Sequence, residues 1–214
     1  MKGLLARKLG MTQMFDEQGD LRPVTLVQAG PCTVTRVRTP DKDGYSAVQI
    51  GFDEIDLQKV TRPVRGQFTK IDLPTAFQHL AEIRDAEGPL APGEKITVEA
   101  FKVGDHVEVI GTSIGKGFAG VVKRHHFNRG DMTHGSKQHR GHGSIGAGTT
   151  PGHVLKGTRM SGRMGNERVT QKGLRVLLVD PQRNLLALSG PVPGSTDAVI
   201  LIRAKGAMKV EVQK

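Results

Sequence analysis

Three strings in this chain have residue types and spacings that could do chemistry. Gly111-Thr112-Ser113-Ile114-Gly115 matches the G-x-S-x-G spacing of a nucleophile elbow and follows a run of strand character. A hydrolase built on it would pair Ser113 with a histidine such as His125 or His126. The elbow must lead into a helix packed on an α/β sheet, and Gly115-Lys116-Gly117-Phe118-Ala119-Gly120 is a poor helix start. The same residues give Gly115-x-Gly117-x-x-Gly120, a lone dinucleotide fingerprint. That fingerprint needs a βαβ unit and an acid about 20 residues onward, but His134 to Arg140 contains no acid. His134, His139 and His142 are spaced loosely like metal ligands. Zinc sites sit on ordered scaffolds with carboxylates orienting the rings, and this stretch offers Asp131 alone and no cysteine. Histidines that bond phosphates or stack on bases suit it better. The expectation is no catalytic residue, no bound metal and no small-molecule substrate.

The elements that must position these residues read mostly as short strands. Val48, Ile50 and Phe52 alternate with Gln49, Gly51 and Asp53, the period-two pattern of a half-buried strand. Ile96, Val98 and Ala100 alternate with Thr97, Glu99 and Phe101, and Val107 and Val109 with His106 and Glu108. Val24 to Val27 and Thr33 to Arg38 are parted by the turn signal Gly30-Pro31. Leu174 to Val179 and Leu185 to Leu188 flank the hairpin turn Asp180-Pro181-Gln182-Arg183-Asn184. Val199 to Ile202 and the tail around Val210 and Val212 add two candidates. One helix is expected from Thr75 to Arg84, with Phe77, Leu80, Ala81 and Ile83 on or near one face. Regular helical crossovers, which a parallel sheet needs, are missing. The pattern predicts an antiparallel barrel or sandwich.

Charge divides the chain unevenly. Of 31 basic and 21 acidic side chains, residues 115–173 hold 11 and two, for a net +9. The other 155 residues hold 20 and 19, for a net +1. The same 59-residue segment contains 14 glycines and 13 apolar residues, and sustains neither helical nor strand periodicity. So long a structureless loop does not belong inside a compact domain. It reads instead as a segment disordered alone and ordered by a polyanionic partner. Glycines let backbone approach such a partner closely, and Lys and Arg neutralise phosphates. Phe118 and Phe127 are either base-stacking platforms or anchors on the barrel. Cys32 is the single cysteine, which points to a reducing compartment. The first residues, Met1 to Lys8, lack the apolar run of a signal peptide. No stretch approaches the roughly 18 apolar residues of a membrane span.

Longer motifs then resemble one family. Gly111 to Arg124, reading GTSIGKGFAGVVKR, is similar to the signature of the universal large-subunit ribosomal protein three family. Lys8-Leu9-Gly10-Met11-Thr12-Gln13-Met14-Phe15 resembles its N-terminal motif. Gly162 to Thr170, reading GRMGNERVT, resembles the block closing its extension, and Val192-Pro193-Gly194 its late turn. The resemblance spans nearly the whole chain in order.

It implies a mainly β fold: an antiparallel barrel of the translation-protein kind, with a small helical insertion and a long irregular basic extension. The barrel would occupy 1–110 and 174–214 with its insertion at about 54–92, and the extension 111–173. The implied function is structural and cytoplasmic, within the ribosome. The protein would bind large-subunit rRNA, help nucleate assembly beside neighbouring ribosomal proteins, and reach towards the peptidyl transferase centre. No cofactor is implied, and magnesium enters only through the rRNA. The expected rRNA contacts are Lys116, Lys123, Arg124, His125, His126, Arg129, Lys137, His139, Arg140, His142, Lys156, Arg159, Arg163, Arg168 and Lys172. Ser144, Gly146, Gly148, Thr149 and Gly152 would form the tip of the extension. Many relatives carry a methylated glutamine two residues before the Pro-Gly of the extension. Thr149 stands there in this chain, so that modification is expected to be absent.

Overall fold

The computed structural model describes residues 2–16, 18–84 and 90–204. They form two compact units, Ser113–Glu167 and the remainder.

The larger unit is built on a closed antiparallel barrel. Its strands are β1 (Lys2–Phe15), β2 (Leu21–Ala29), β7 (His106–Thr112), β10 (Arg168–Asp180), β11 (Leu185–Ser189) and β12 (Val199–Ala204). They close in the order β1-β12-β7-β10-β11-β2. A second sheet, ordered β5-β4-β3-β6, combines β3 (Cys32–Arg38), β4 (Ala47–Ile55), β5 (Ala76–Arg84) and β6 (Lys95–Ile96). One apolar core joins barrel and sheet, including Leu4, Val27, Leu186, Leu188 and Ile202 from the first and Val34, Ile50 and Ile83 from the second. Gly3 makes the join possible. A Cβ there would stand 2.8 Å from Ile83 Cδ1 and 3.1 Å from the Ile202 carbonyl, so glycine leaves room for the Ile83 side chain against the barrel wall.

The predicted strands at Val24–Val27, Thr33–Arg38, Val48–Phe52, Val107–Val109, Leu174–Val179, Leu185–Leu188 and Val199–Ile202 all form. The tail around Val210 and Val212 lies outside the described residues. Two expectations need correction. Thr75–Arg84 is not a helix: β5 pairs with β4 from Ala76↔Ile55 to Ala47↔Arg84. Phe77 and Ile83 are buried while Leu80, needed on the helical face, is exposed. Period two wins because β4 offers β5 a full backbone ladder. Ile96, Val98 and Ala100 are all buried, but only Lys95–Ile96 is strand, and Val98–Ala100 turns as 3-10 helix. The helix of the insertion is α2 (Arg62–Thr69), following the short α1 (Pro40–Asp43). It buries Phe68 edge-on against Phe77, ring centroids 5.8 Å apart, and Gly51 leaves the space that the Phe77 ring fills.

Candidate nucleic-acid interface

The second unit is inserted between β7, which ends at Thr112, and β10, which begins at Arg168. It is narrower than the 111–173 that the resemblance implies. Residues Arg168 to Gln171 are ladder partners of Thr112 to Val109, in the barrel.

Within the unit the chain first forms a clasped neck. Ser113 N–H donates to the Glu167 carbonyl at 2.9 Å, and Asn166 N–H returns to the Ser113 carbonyl at 3.1 Å. Lys116 N–H donates to Met164 O at 2.8 Å, and Met164 N–H to Gly117 O at 2.9 Å. Gly165, at φ 71°, brings its backbone against the Ile114 carbonyl, where a Cβ would not fit. A two-residue ribbon follows, β8 (Phe118–Ala119) against β9 (Gly162–Arg163), and then α3 (Val121–His125). The helix is stopped by His126 in the left-handed conformation, its N–H bonded to Val121 O. Arg124 Nη1 and His125 Nε2 both lie 3.0 Å from the Met160 carbonyl. A carbonyl only accepts, so His125 carries a proton on Nε2.

Beyond the neck the backbone is thinly bonded. Gly130 N–H reaches His139 O at 3.2 Å, His139 Nδ1 lies 2.9 Å from Asp131 O, and Gly152 N–H reaches Gly148 O at 3.1 Å. Across the unit only Ala119 and Val121 are buried among the apolar side chains. Met132, Leu155 and Phe118 are exposed, Phe118 at 76%.

Nine of the expected cationic contacts stand in this unit: Lys116, Lys123, Arg124, Arg129, Lys137, Arg140, Lys156, Arg159 and Arg163. Arg168 and Lys172 lie on β10, exposed on the barrel unit. Among the described residues none of the eleven makes an ion pair. All are exposed except Arg124, which is half-buried by its Met160 contact. The histidines are brought together in part. A concavity of about 640 Å³ is lined by His125, His126, Phe127, Gln138, His142 and Arg159, among others. Phe127 tilts against His125 at 6.1 Å between centroids. His139 lies outside it, tied to Asp131. Ser144, Gly146, Gly148, Thr149 and Gly152 are all exposed.

The enzyme-like strings find no machinery. Ser113 Oγ accepts from Glu167 N–H at 3.2 Å and serves the clasp, and the next helix begins eight residues later at Val121. Among the described residues no three of His, Cys, Asp and Glu converge as metal ligands. Among the described residues no helix is long and apolar enough to cross a membrane. Sequence reasoning missed the exposed apolar side chains Ile114, Met132 and Leu155. Their signal was isolation, single apolar residues in a polar, glycine-rich run with no strand or helix to bury them.

The model of the family described as ribosomal protein L3 matches residues 90–197. The chain belongs to this family. It is 54% identical to the large ribosomal subunit protein uL3 of a Synechococcus species, over 90% of each chain. The uL3 proteins of Acidothermus cellulolyticus and Herpetosiphon aurantiacus are 51% and 47% identical. Those alignments cover 96% and 98% of this chain, and 94% and 99% of the relatives. The family's match runs across both units, taking in the whole clasped insertion and the barrel strands that flank it.

Proposed function

We propose that this chain, as a structural constituent of the large ribosomal subunit and not an enzyme, binds large-subunit rRNA directly through Ser113–Glu167. The observation that carries the reading is the set of nine cations without ion-pair partners on a backbone with almost no core. A folded unit that needed only itself would neutralise such charges or bury more apolar surface. RNA phosphates supply the missing anions, and counterion release drives the association. The concavity at His125, Phe127, Gln138 and Arg159 combines stacking faces with an amide and a cation, the groups that hold a splayed base. Arg168 and Lys172, on β10, are proposed as further rRNA contacts of the barrel unit.

The protein works in the cytoplasm, in the ribosome, with rRNA and neighbouring ribosomal proteins as partners. It helps nucleate subunit assembly, and its tip, Ser144 to Gly152, reaches towards the peptidyl transferase centre. It takes no cofactor of its own.

The experiment is a salt titration of binding between the full chain and a large-subunit rRNA transcript. Lys123, Arg129 and Arg140 are the residues to replace, because Arg124 also holds the neck. Their joint replacement by Ala should flatten the log–log slope by about two to three units, at roughly 0.7–0.9 per phosphate contact. Arg22, Lys42 and Arg183 form the control, and Arg22 is already paired with Asp16 and Asp20. Equal losses from both triples would remove Ser113–Glu167 as the principal binding element. Co-sedimentation of the tagged chain with large subunits separates this reading from a nucleic-acid-binding module outside the ribosome.

A further inference from the structure

The near-neutral balance of the barrel unit hides a local excess. From Leu57 to Lys70 the chain carries Lys59, Arg62, Arg65 and Lys70 and no acid. Among the described residues none of the four is ion-paired, while seven of the 19 lysines and arginines described in this unit are: Lys2, Arg7, Arg22, Arg36, Arg38, Lys95 and Arg203.

The helix α2, which carries Arg62 and Arg65 and is capped by Lys70, is built against its own stability in three ways. Arg62 and Arg65 sit in its first turn with no acid beside them. Cations there oppose the helix dipole. Thr61, the N-cap, makes no side-chain capping bond, leaving the first N–H groups to solvent. Gly66 stands in the helix interior, where glycine costs about 1 kcal/mol relative to alanine. Nothing inside the protein requires it: its φ is not positive, and a Cβ there would meet no atom within 4 Å.

The cations and the glycine lie on one face. Val64 and Phe68 turn towards Phe77 and the small apolar cluster around it. Arg62, Arg65, Gly66 and Thr69, at i, i+3, i+4 and i+7, line the opposite face with Lys70 around an open groove of about 350 Å³. A solvated face would explain the charge but not the glycine. A polyanion lying in the groove explains both, since glycine lowers the floor and the cations form the rim.

We infer that the α2 face is a second, separate binding site for the sugar-phosphate backbone of large-subunit rRNA, held by Arg62, Arg65 and Lys70 over Gly66. An acidic protein is the poorer fit, because the groove has no apolar or aromatic side chain to form the dry centre of a protein interface. The inference rests on ribosomal membership, and on no property of Ser113–Glu167.

The test uses the full chain with Arg62, Arg65 and Lys70 replaced together by Ala. Alanine favours helix at Arg62 and Arg65, and circular dichroism checks that the fold is kept. The slope of rRNA affinity against salt should fall by about two to three units. In otherwise wild-type protein, a photo-reactive residue in place of Thr69 should crosslink to rRNA in assembled subunits. An unchanged slope, crosslinks confined to a ribosomal protein, or no crosslink at all would each overturn the inference. The variant at Lys123, Arg129 and Arg140 keeps the two readings apart. A loss there with none at α2 removes this site alone, and the reverse removes the arm reading while leaving this one standing.

Discussion

Basic side chains are almost equally dense in the two units of this protein: nine among the 55 residues of Ser113–Glu167, and 22 among the other 159. What differs is the acids, two against 19. In the barrel unit seven of the 19 described lysines and arginines meet a carboxylate of their own chain, as Arg38 meets Glu82 at 2.7 Å and Arg203 meets Glu108 at 3.1 Å. In the inserted unit they meet none among the described residues. Burial follows the same division, a continuous core against Ala119 and Val121 alone. A unit that satisfies its own charges and apolar surface folds by itself. One that withholds acids and core leaves both to a partner, and the missing carboxylates identify that partner better than the lysines and arginines do.

The sharpest way to break this comparison is to remove core from each side. Leu188→Ala deletes a side chain with no exposed surface and should destabilise the protein by about 2–5 kcal/mol in denaturant titration. Val121→Ala, in α3, should change the same global transition by less than about 0.5 kcal/mol, because Val121, though buried, belongs to neither core cluster of the barrel unit. Equal costs would mean that the inserted unit shares the barrel's cooperative core.

A smaller effect comes from a charge that the barrel does bury. Lys2 is 8% exposed; its Nζ donates to Ala100 O at 2.9 Å and pairs with Asp105, and it lies 5.1 Å from the Phe101 ring centroid. Burial pushes the Asp105 carboxyl up, but Lys2 and the Lys102 N–H outweigh it and hold its pKa below the usual carboxylate value. A depressed folded pKa adds stability that is fully present above the unfolded value, near 3.9, and is lost as pH falls through the folded one. Asp105→Asn should therefore cost roughly 1–2 kcal/mol at neutral pH, and the gap to wild type should close in the acid limb below about pH 4. Thermal unfolding across that range checks it. A gap that stays constant with pH would assign the loss to packing.

Legibility followed the same line. Strands with one wet face, such as β4 and β7, announced themselves by alternation. β1 did not, because Lys2 to Ala6 are buried on both faces and their pattern has no period. β5 was misread because Phe77, Ala81 and Ile83 suit either period until a neighbouring ladder decides. α2 was missed because Pro63 and Gly66 are poor helix residues and its only apolar pair is Val64 and Phe68. Lys2 gave no sign of burial, since Asp105 lies 103 positions away. In the insertion, composition was legible and geometry was not. Glycine content foretold an irregular backbone, but the pinning of Arg124 and His125 on one carbonyl depends on distances no spacing encodes. Charge and the resemblance put Arg168 and Lys172 in the arm, whereas both lie on β10, which pairs with β7 in the barrel.

The smallest expected effect on the isolated protein is at the tip, and it sharpens the comparison most. Gly146 is a poor probe: at φ 142° a side chain is strained whatever surrounds it, so a defect would be ambiguous. Gly148 has no positive φ, and a Cβ there would meet nothing within 4 Å. Gly148→Val should leave the unfolding free energy within about 0.5 kcal/mol of wild type. First binding to rRNA should also hold, because residues 141–152 carry no Lys or Arg and the proposed phosphate contacts lie on the flanks. Any consequence must then come from what the tip abuts after assembly. If it sits as a wedge near the catalytic centre, cells carrying only the variant should show altered late assembly, peptide-bond formation or sensitivity to drugs that bind there. Wild-type behaviour in all three would make the tip an ordinary exposed loop, and would confine the partner's share of this fold to the cationic flanks.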